Sequence, residues 1–156
     1  MDKAYFPMFV DISDKEIVVV GGGSIAVRRV KTLLLFSDHI TVIAPGLHES
    51  LLDLEARGRI ACLHRAYREG DISKAHIVLA ATDNKELNRS IGEECNVLGQ
   101  AYGRKILFNT ADDRTFCDFY FPAVVQSDDI VIGINSGGKN PAKVKEIRRR
   151  LESGPF

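Results

Sequence analysis

An apolar, β-branched run, Ile17-Val-Val-Val20, feeds three consecutive glycines, Gly21, Gly22 and Gly23, which in turn feed a stretch with helical periodicity starting at Ser24-Ile25-Ala26. Strand, glycine turn and helix in that order leave few folds open. The spacing Gly21-x-Gly23-x-x-Ala26 is that of a dinucleotide-binding turn. Gly21 permits the tight bend. Gly23 has no Cβ, so a pyrophosphate can approach the backbone, and Ala26 is small enough for the helix to pack closely on the strand. The first N–H groups of the helix then face the phosphates, aided by the helix dipole. The competing reading is a structural turn in an α/β unit that holds no ligand.

The 156 residues suffice for one real core. Lys and Arg number 21, as do Asp and Glu, so the formal net charge is zero. Nothing global draws this chain to nucleic acid or to an anionic membrane, and an anionic ligand must be held by a local patch. No apolar run approaches the length of a membrane span. The opening Met1-Asp-Lys-Ala-Tyr-Phe-Pro7 lacks the basic-then-apolar pattern of a secretion leader. Cys62, Cys95 and Cys117 are odd in number and far apart, which suits neither a disulfide framework nor a zinc knuckle. A cytoplasmic setting is expected.

Strand and helix patterns alternate along the chain. Strands are expected at residues 17–20, 39–44, 60–63, 76–81 and 106–109. Helices are expected at 24–36, with Ala26, Val30, Leu33 and Leu34 buried and Arg28, Arg29 and Lys31 on the other sides, and at 47–57, stopped by Gly58. A third helix begins at Thr82 and Asp83, where Asp83-x-x-Glu86 resembles a capping box. This rhythm predicts an α/β fold: a Rossmann-type parallel sheet with helices on both faces, over residues 1–113. Residues 114–156 differ in texture. Two β runs, 118–126 and 129–135, split by Ser127-Asp128, predict an antiparallel hairpin. Asn140 is a good N-cap and Pro141 a good first residue for a last helix. Its stripe of Val144, Ile147 and Leu151 is thin, which points to a partner subunit.

In such sheets ligands lie at the carboxyl ends of strands. Gly21–Gly23, Pro45–Gly46, Thr82–Asp83 and Asn109–Asp113 all follow strand ends and are expected to converge on one crevice. The second strand ends in Pro45-Gly46, with neither an acid for a ribose hydroxyl nor an Arg or Lys for a 2′-phosphate; the reading leans to NAD over NADP. A carboxylate in Asn109-Thr-Ala-Asp-Asp113 suits a base that accepts a proton as hydride leaves a substrate, although Asp-Asp-Arg is also ordinary turn composition. Ser136-Gly137-Gly138-Lys139 offers backbone N–H groups, a hydroxyl and an ammonium to a carboxylate or phosphate, or is a plain loop before an N-cap. The four histidines have no metal-ligand spacing, and no metal site is expected.

Together these segments resemble the precorrin-2 dehydrogenase family, which includes the amino-terminal part of siroheme synthase and bifunctional dehydrogenase/ferrochelatases. The resemblance rests on Phe6-Pro-Met-Phe-Val10, Val18–Lys31, Ala80-Ala-Thr-Asp-Asn84, Asn109-Thr-Ala-Asp112, Phe119-Tyr-Phe-Pro-Ala123 and Ile132–Ala142, in the family's order. It implies NAD⁺-dependent oxidation of precorrin-2 to sirohydrochlorin, with Fe²⁺ insertion in some members. Asp112 falls on the family's functional aspartate. The dinucleotide contacts fall on Gly21, Gly22, Gly23, Ser24, Ile25, Ala26, Pro45, Gly46, Thr82 and Asp83. The tetrapyrrole is expected near Asn109, Ser136, Gly137, Gly138 and Lys139. The resemblance also implies a homodimer that interlocks through the later strands. The family's further helical segment is largely absent from the 156 residues, so dehydrogenation is the principal expectation. A module that binds NAD without turnover, as a sensor or scaffold, is the rival reading, and an oxidoreductase for another substrate is a third.

Overall fold

The structure is a computed structural model that describes residues 3–154. It divides into two compact units, Val10–Asp118 and a second formed by Met1–Phe9 with Phe119–Phe156.

The first unit is a five-stranded parallel sheet with its helices. Its strands are β1 (Ile17–Val20), β2 (Ile40–Ile43), β3 (Ala61–Leu63), β4 (Ile77–Ala80) and β5 (Leu107–Thr110), in the order β3-β2-β1-β4-β5. The helices are α1 (Ser24–Leu33), α2 (Glu49–Ala56) and α3 (Lys85–Tyr102). The central strands β1 and β4 pair in register from Ile17↔Ile77 to Val20↔Ala80, and every residue of both is buried. Central parallel strands are covered on both faces, which is why they read as unbroken apolar runs. The strand order reverses between β1 and β4, so a crevice opens at their carboxyl ends.

Several element boundaries differ from the sequence expectation. The first helix stops at Leu33 and not at Phe36, because Leu35 and Phe36 close tighter turns onto the carbonyls of Thr32 and Leu33 at 3.2 and 2.9 Å. The third helix is capped by Asn84, whose Oδ1 accepts from the Leu87 N–H at 3.0 Å, and not by the Asp83–Glu86 box. The cause lies just upstream: the Thr82 hydroxyl donates to Asn88 Oδ1 at 2.6 Å, and Asn88 Nδ2 donates back to the Thr82 carbonyl at 3.0 Å. That bracket holds residue 82 outside the helix and moves the start by one residue. Arg29, expected on a solvated side of α1, is buried.

The second unit holds the antiparallel pair β6 (Ala123–Ser127) and β7 (Ile130–Ile134), with α4 (Pro141–Ser153) against β6. The turn is Asp128-Asp129, one residue later than expected, and Asp128 takes the left-handed conformation at φ 49°. Aspartate tolerates that region better than most residues, and such turns suit the twist of a hairpin. Asn140 caps α4 as its sequence predicts, accepting from the Lys143 N–H at 3.0 Å, with Pro141 as the first helical residue. Among the described residues of this unit, Val125 alone is fully buried, whereas Phe6 and Phe9 are 86% and 80% exposed.

Candidate functional site

The loop between β1 and α1 is held from two sides. Gly21 has φ +125°, and a Cβ there would fall 2.3 Å from the Ala81 carbonyl oxygen at the end of β4. A Cβ on Gly22 would fall 2.0 Å from the Gly46 carbonyl oxygen in the loop after β2. The His48 N–H ties the same two loops together through the Gly22 carbonyl at 2.8 Å. Only glycine fits where backbones approach this closely. Gly23 is different: nothing lies within 4 Å of the position its Cβ would take. It is the N-cap of α1 and brings no capping side chain to the helix start. Ser24 and Ile25 are exposed beside it, and Ala26 is fully buried against the sheet. An open face over uncapped helical N–H groups, at the positive end of the helix dipole, has the chemistry to receive a diphosphate.

Pro45 and Gly46 line the crevice after β2 and are exposed. Glu49 is the first residue of α2 and His48 its cap, so the loop after β2 presents backbone ahead of any carboxylate. Thr82 and Asp83 follow β4; Asp83 is exposed, and the Thr82 hydroxyl is engaged by Asn88. The loops after β1, β2 and β4 therefore meet at one edge of the sheet.

The end of β5 joins that edge through the Ala111 N–H, which donates to the Ala80 carbonyl at 3.1 Å. Asp112 is exposed, and its Oδ1 accepts a hydrogen bond from the Thr110 hydroxyl. Asp113 has another task. Its Oδ1 accepts from the N–H and hydroxyl of Thr115, at 3.0 and 2.6 Å, and caps the 3-10 turn Arg114–Phe116. The Thr115 hydroxyl is the main reason that its carboxyl sits below the usual carboxylate range. Asn109, expected at the substrate, is only 3% exposed, and its Oδ1 accepts from Arg29 Nη1 at 2.6 Å. It supports the strand end from within. Burial lowers the Arg29 pKa, which the Cys117 sulfur opposes.

Arg29, Thr110 and Asn88 were not singled out by pattern. For Arg29 a signal exists: it is three residues after Ala26 and four before Leu33, on the buried stripe itself. Cys117 is also buried, and burial raises its thiol pKa, so it is a structural thiol. No group of three His, Cys, Asp or Glu able to hold a metal ion occurs among the described residues.

Ser136, Gly137, Gly138 and Lys139 belong to the second unit. Gly137 and Gly138 are left-handed, at φ 64° and 71°. Part of the turn's hydrogen-bonding capacity is spent internally: the Gly137 N–H donates to Asn135 Oδ1 at 2.5 Å, and Ser136 Oγ accepts from the Asn140 N–H at 3.0 Å. Lys139 is exposed.

The strand order and the glycine loop define a doubly wound α/β protein of the dinucleotide-binding kind. The family model described as "Putative NAD(P)-binding" matches residues 8–123, and the chain belongs to that family. Among curated relatives, a siroheme synthase of Nitrosococcus oceani is 37% identical over 149 residues, covering 96% of this chain and 31% of the relative. A siroheme synthase of Pseudoalteromonas atlantica is 36% identical over the same length, again covering 96% and 31%. The chain thus spans less than a third of these relatives. A solved structure titled "SirC, precorrin-2 dehydrogenase" superposes with a TM-score of 0.80 at 24% identity, covering 97% of this chain and 71% of that one, and shares its fold.

Proposed function

We propose that this chain catalyses NAD⁺-dependent oxidation of precorrin-2 to sirohydrochlorin. One observation carries the proposal: the open helix start at Gly23 and the exposed Asp112 carboxylate lie along the same carboxyl edge of one parallel sheet. The 96% coverage by siroheme synthase relatives supports it.

The fit to a dinucleotide rests on Gly23, where any side chain would fill the cradle. Ser24, Ile25 and Ala26 supply helix-start N–H groups to the diphosphate, and Pro45-Gly46 and Thr82-Asp83 flank it. When bound, oxidised nicotinamide supplies the hydride acceptor. Asp112 takes up the proton that the substrate loses with that hydride. The balance is precorrin-2 plus NAD⁺ giving sirohydrochlorin, NADH and one proton. In the second unit, Gly138 and Lys139 offer an N–H and an ammonium of the kind that binds carboxylates. Any Fe²⁺ insertion would use the four ring nitrogens as ligands and needs no protein metal cluster.

A homodimer accompanies this reading. The second unit buries little of its own apolar surface, and Phe6, Met8, Phe9 and Ile130 are exposed. Patches of this kind mark association surfaces. A cytoplasmic setting accompanies it as well: the three cysteines are free thiols, the form a reducing compartment maintains.

The test is a single assay with purified protein, precorrin-2 and NAD⁺, with and without Fe²⁺, followed by the tetrapyrrole spectrum and NADH absorbance. Stoichiometric NADH and sirohydrochlorin are expected. Saturable NAD⁺ binding with no spectral change on adding precorrin-2 would overturn the proposal in favour of a nucleotide-binding module without turnover.

A further inference from the structure

The end of β5 is a hydrogen-bonded frame around one exposed carboxylate, that of Asp112. Thr110 is nearly buried, its N–H donates to Cys117 Sγ at 3.3 Å, and Cys117 Sγ is also 3.3 Å from the carbonyls of Thr110 and Asp113. Residue 111 is pinned to the Ala80 carbonyl, and Asp113 is committed to the 3-10 turn. On the inner side Asn109 is clamped by the buried Arg29. Within this frame the Asp112 side chain is exposed, and the Thr110 hydroxyl bonds one of its oxygens, Oδ1.

We propose that Thr110 is the positioning residue for Asp112: its hydroxyl occupies Oδ1, fixes the carboxylate rotamer and leaves Oδ2 as the proton-accepting oxygen. The inference rests on the reading of Asp112 as the proton acceptor in precorrin-2 oxidation. The physical ground is preorganisation. An exposed aspartate samples several staggered rotamers, and a base held in one of them loses less freedom on reaching the transition state. Thr110 contacts no reacting atom and acts wholly through its neighbour.

Thr110→Val keeps the branched shape and removes the hydroxyl; Thr110→Ser keeps the hydroxyl. In the full chain, Thr110→Val is expected to lower kcat for precorrin-2 oxidation roughly tenfold or more, with the KM for NAD⁺ unchanged. Thr110→Ser is expected to recover most of that loss. Added to Asp112→Asn, Thr110→Val is expected to cost nothing further, because the residue through which it acts is already disabled. Independently of activity, NMR scalar couplings of Asp112 are expected to report one χ1 rotamer in the parent and an average of rotamers in Thr110→Val. An unchanged rotamer in Thr110→Val, or a further loss in the double variant equal to that in the single one, overturns the positioning role. If the parent fails to oxidise precorrin-2, the proposed function falls, while the rotamer measurement still decides whether Thr110 holds Asp112.

Discussion

Arg29 Nη1 donates to Asn109 Oδ1 at 2.6 Å, joining the buried side of α1 to the end of β5. A guanidinium this buried is retained only if its donors are used, and a charged hydrogen bond of this kind contributes about 1.5–3 kcal/mol. Arg29→Met keeps the aliphatic stem and removes the bond. It is expected to lower stability by about that amount, read as a lower urea midpoint with an unchanged m-value.

The glycines after β1 separate fold from ligand. Gly22→Ala drives a methyl group into the Gly46 carbonyl oxygen, with the Ala44 methyl group close by at 3.1 Å. A loss of about 1–3 kcal/mol is expected in thermal or chemical unfolding. Gly23→Ala meets open space, so its cost stays within about 1 kcal/mol, set by the poorer N-cap. The same methyl group would occupy the proposed diphosphate cradle, and calorimetry is expected to find NAD⁺ affinity weakened by roughly tenfold or more, equivalent to about 1.4 kcal/mol.

Two adjacent aspartates are predicted to behave differently. Asp112→Ala is expected to retain NAD⁺ affinity and lose roughly 10²–10⁴ in turnover, the usual worth of a positioned base. Asp113→Ala removes the cap on the 3-10 turn and is expected to cost about 1 kcal/mol of stability with a smaller loss of turnover. Paired measurements of kcat and melting temperature check both.

The crossover from β3 to β4 is closed by Asp71, whose two oxygens accept from Arg65 at 2.8 Å each, and which also accepts from the Arg68 N–H. The Arg65 bond holds the Asp71 pKa below its ordinary value of 3.8. A depressed folded pKa contributes stability that is complete above the unfolded value and is lost as pH falls through the folded one. Asp71→Asn is therefore expected to be less stable than the parent by about 1–2 kcal/mol at neutral pH. The difference should shrink as pH drops below 3.8, as urea midpoints across acid pH would record.

Legibility in the sequence followed burial. Residues 17–20 and 77–80 are covered on both faces, so their unbroken apolar runs and the turn between them and the helices could be read directly. Asn140-Pro141 was equally plain, because a cap and an N1 proline act locally. Arg29 is masked by its charge: its place on the stripe of Ala26 and Leu33 signals burial, while its partner Asn109, 80 residues away, leaves no local pattern. The Asn84 cap displaced the Asp83–Glu86 box for a related reason, since the Thr82–Asn88 bracket outcompetes a motif of similar strength. Asp112 is proposed from its place after β5 and from a resemblance, whereas its hydrogen-bond partner Thr110, a strand residue with an ordinary β-branched shape, carries no pattern of its own.

The native thiols leave the surface free for chemistry. Burial pushes Cys62 up to about 11 and Cys95 up to about 12, and raises Cys117 as well, so all three stay protonated at neutral pH. Maleimides and iodoacetamides attack thiolates. A single engineered cysteine on the exposed side of α4, such as Lys145→Cys, would outpace the native ones and accept a fluorophore or spin label without a cysteine-free background having to be built first.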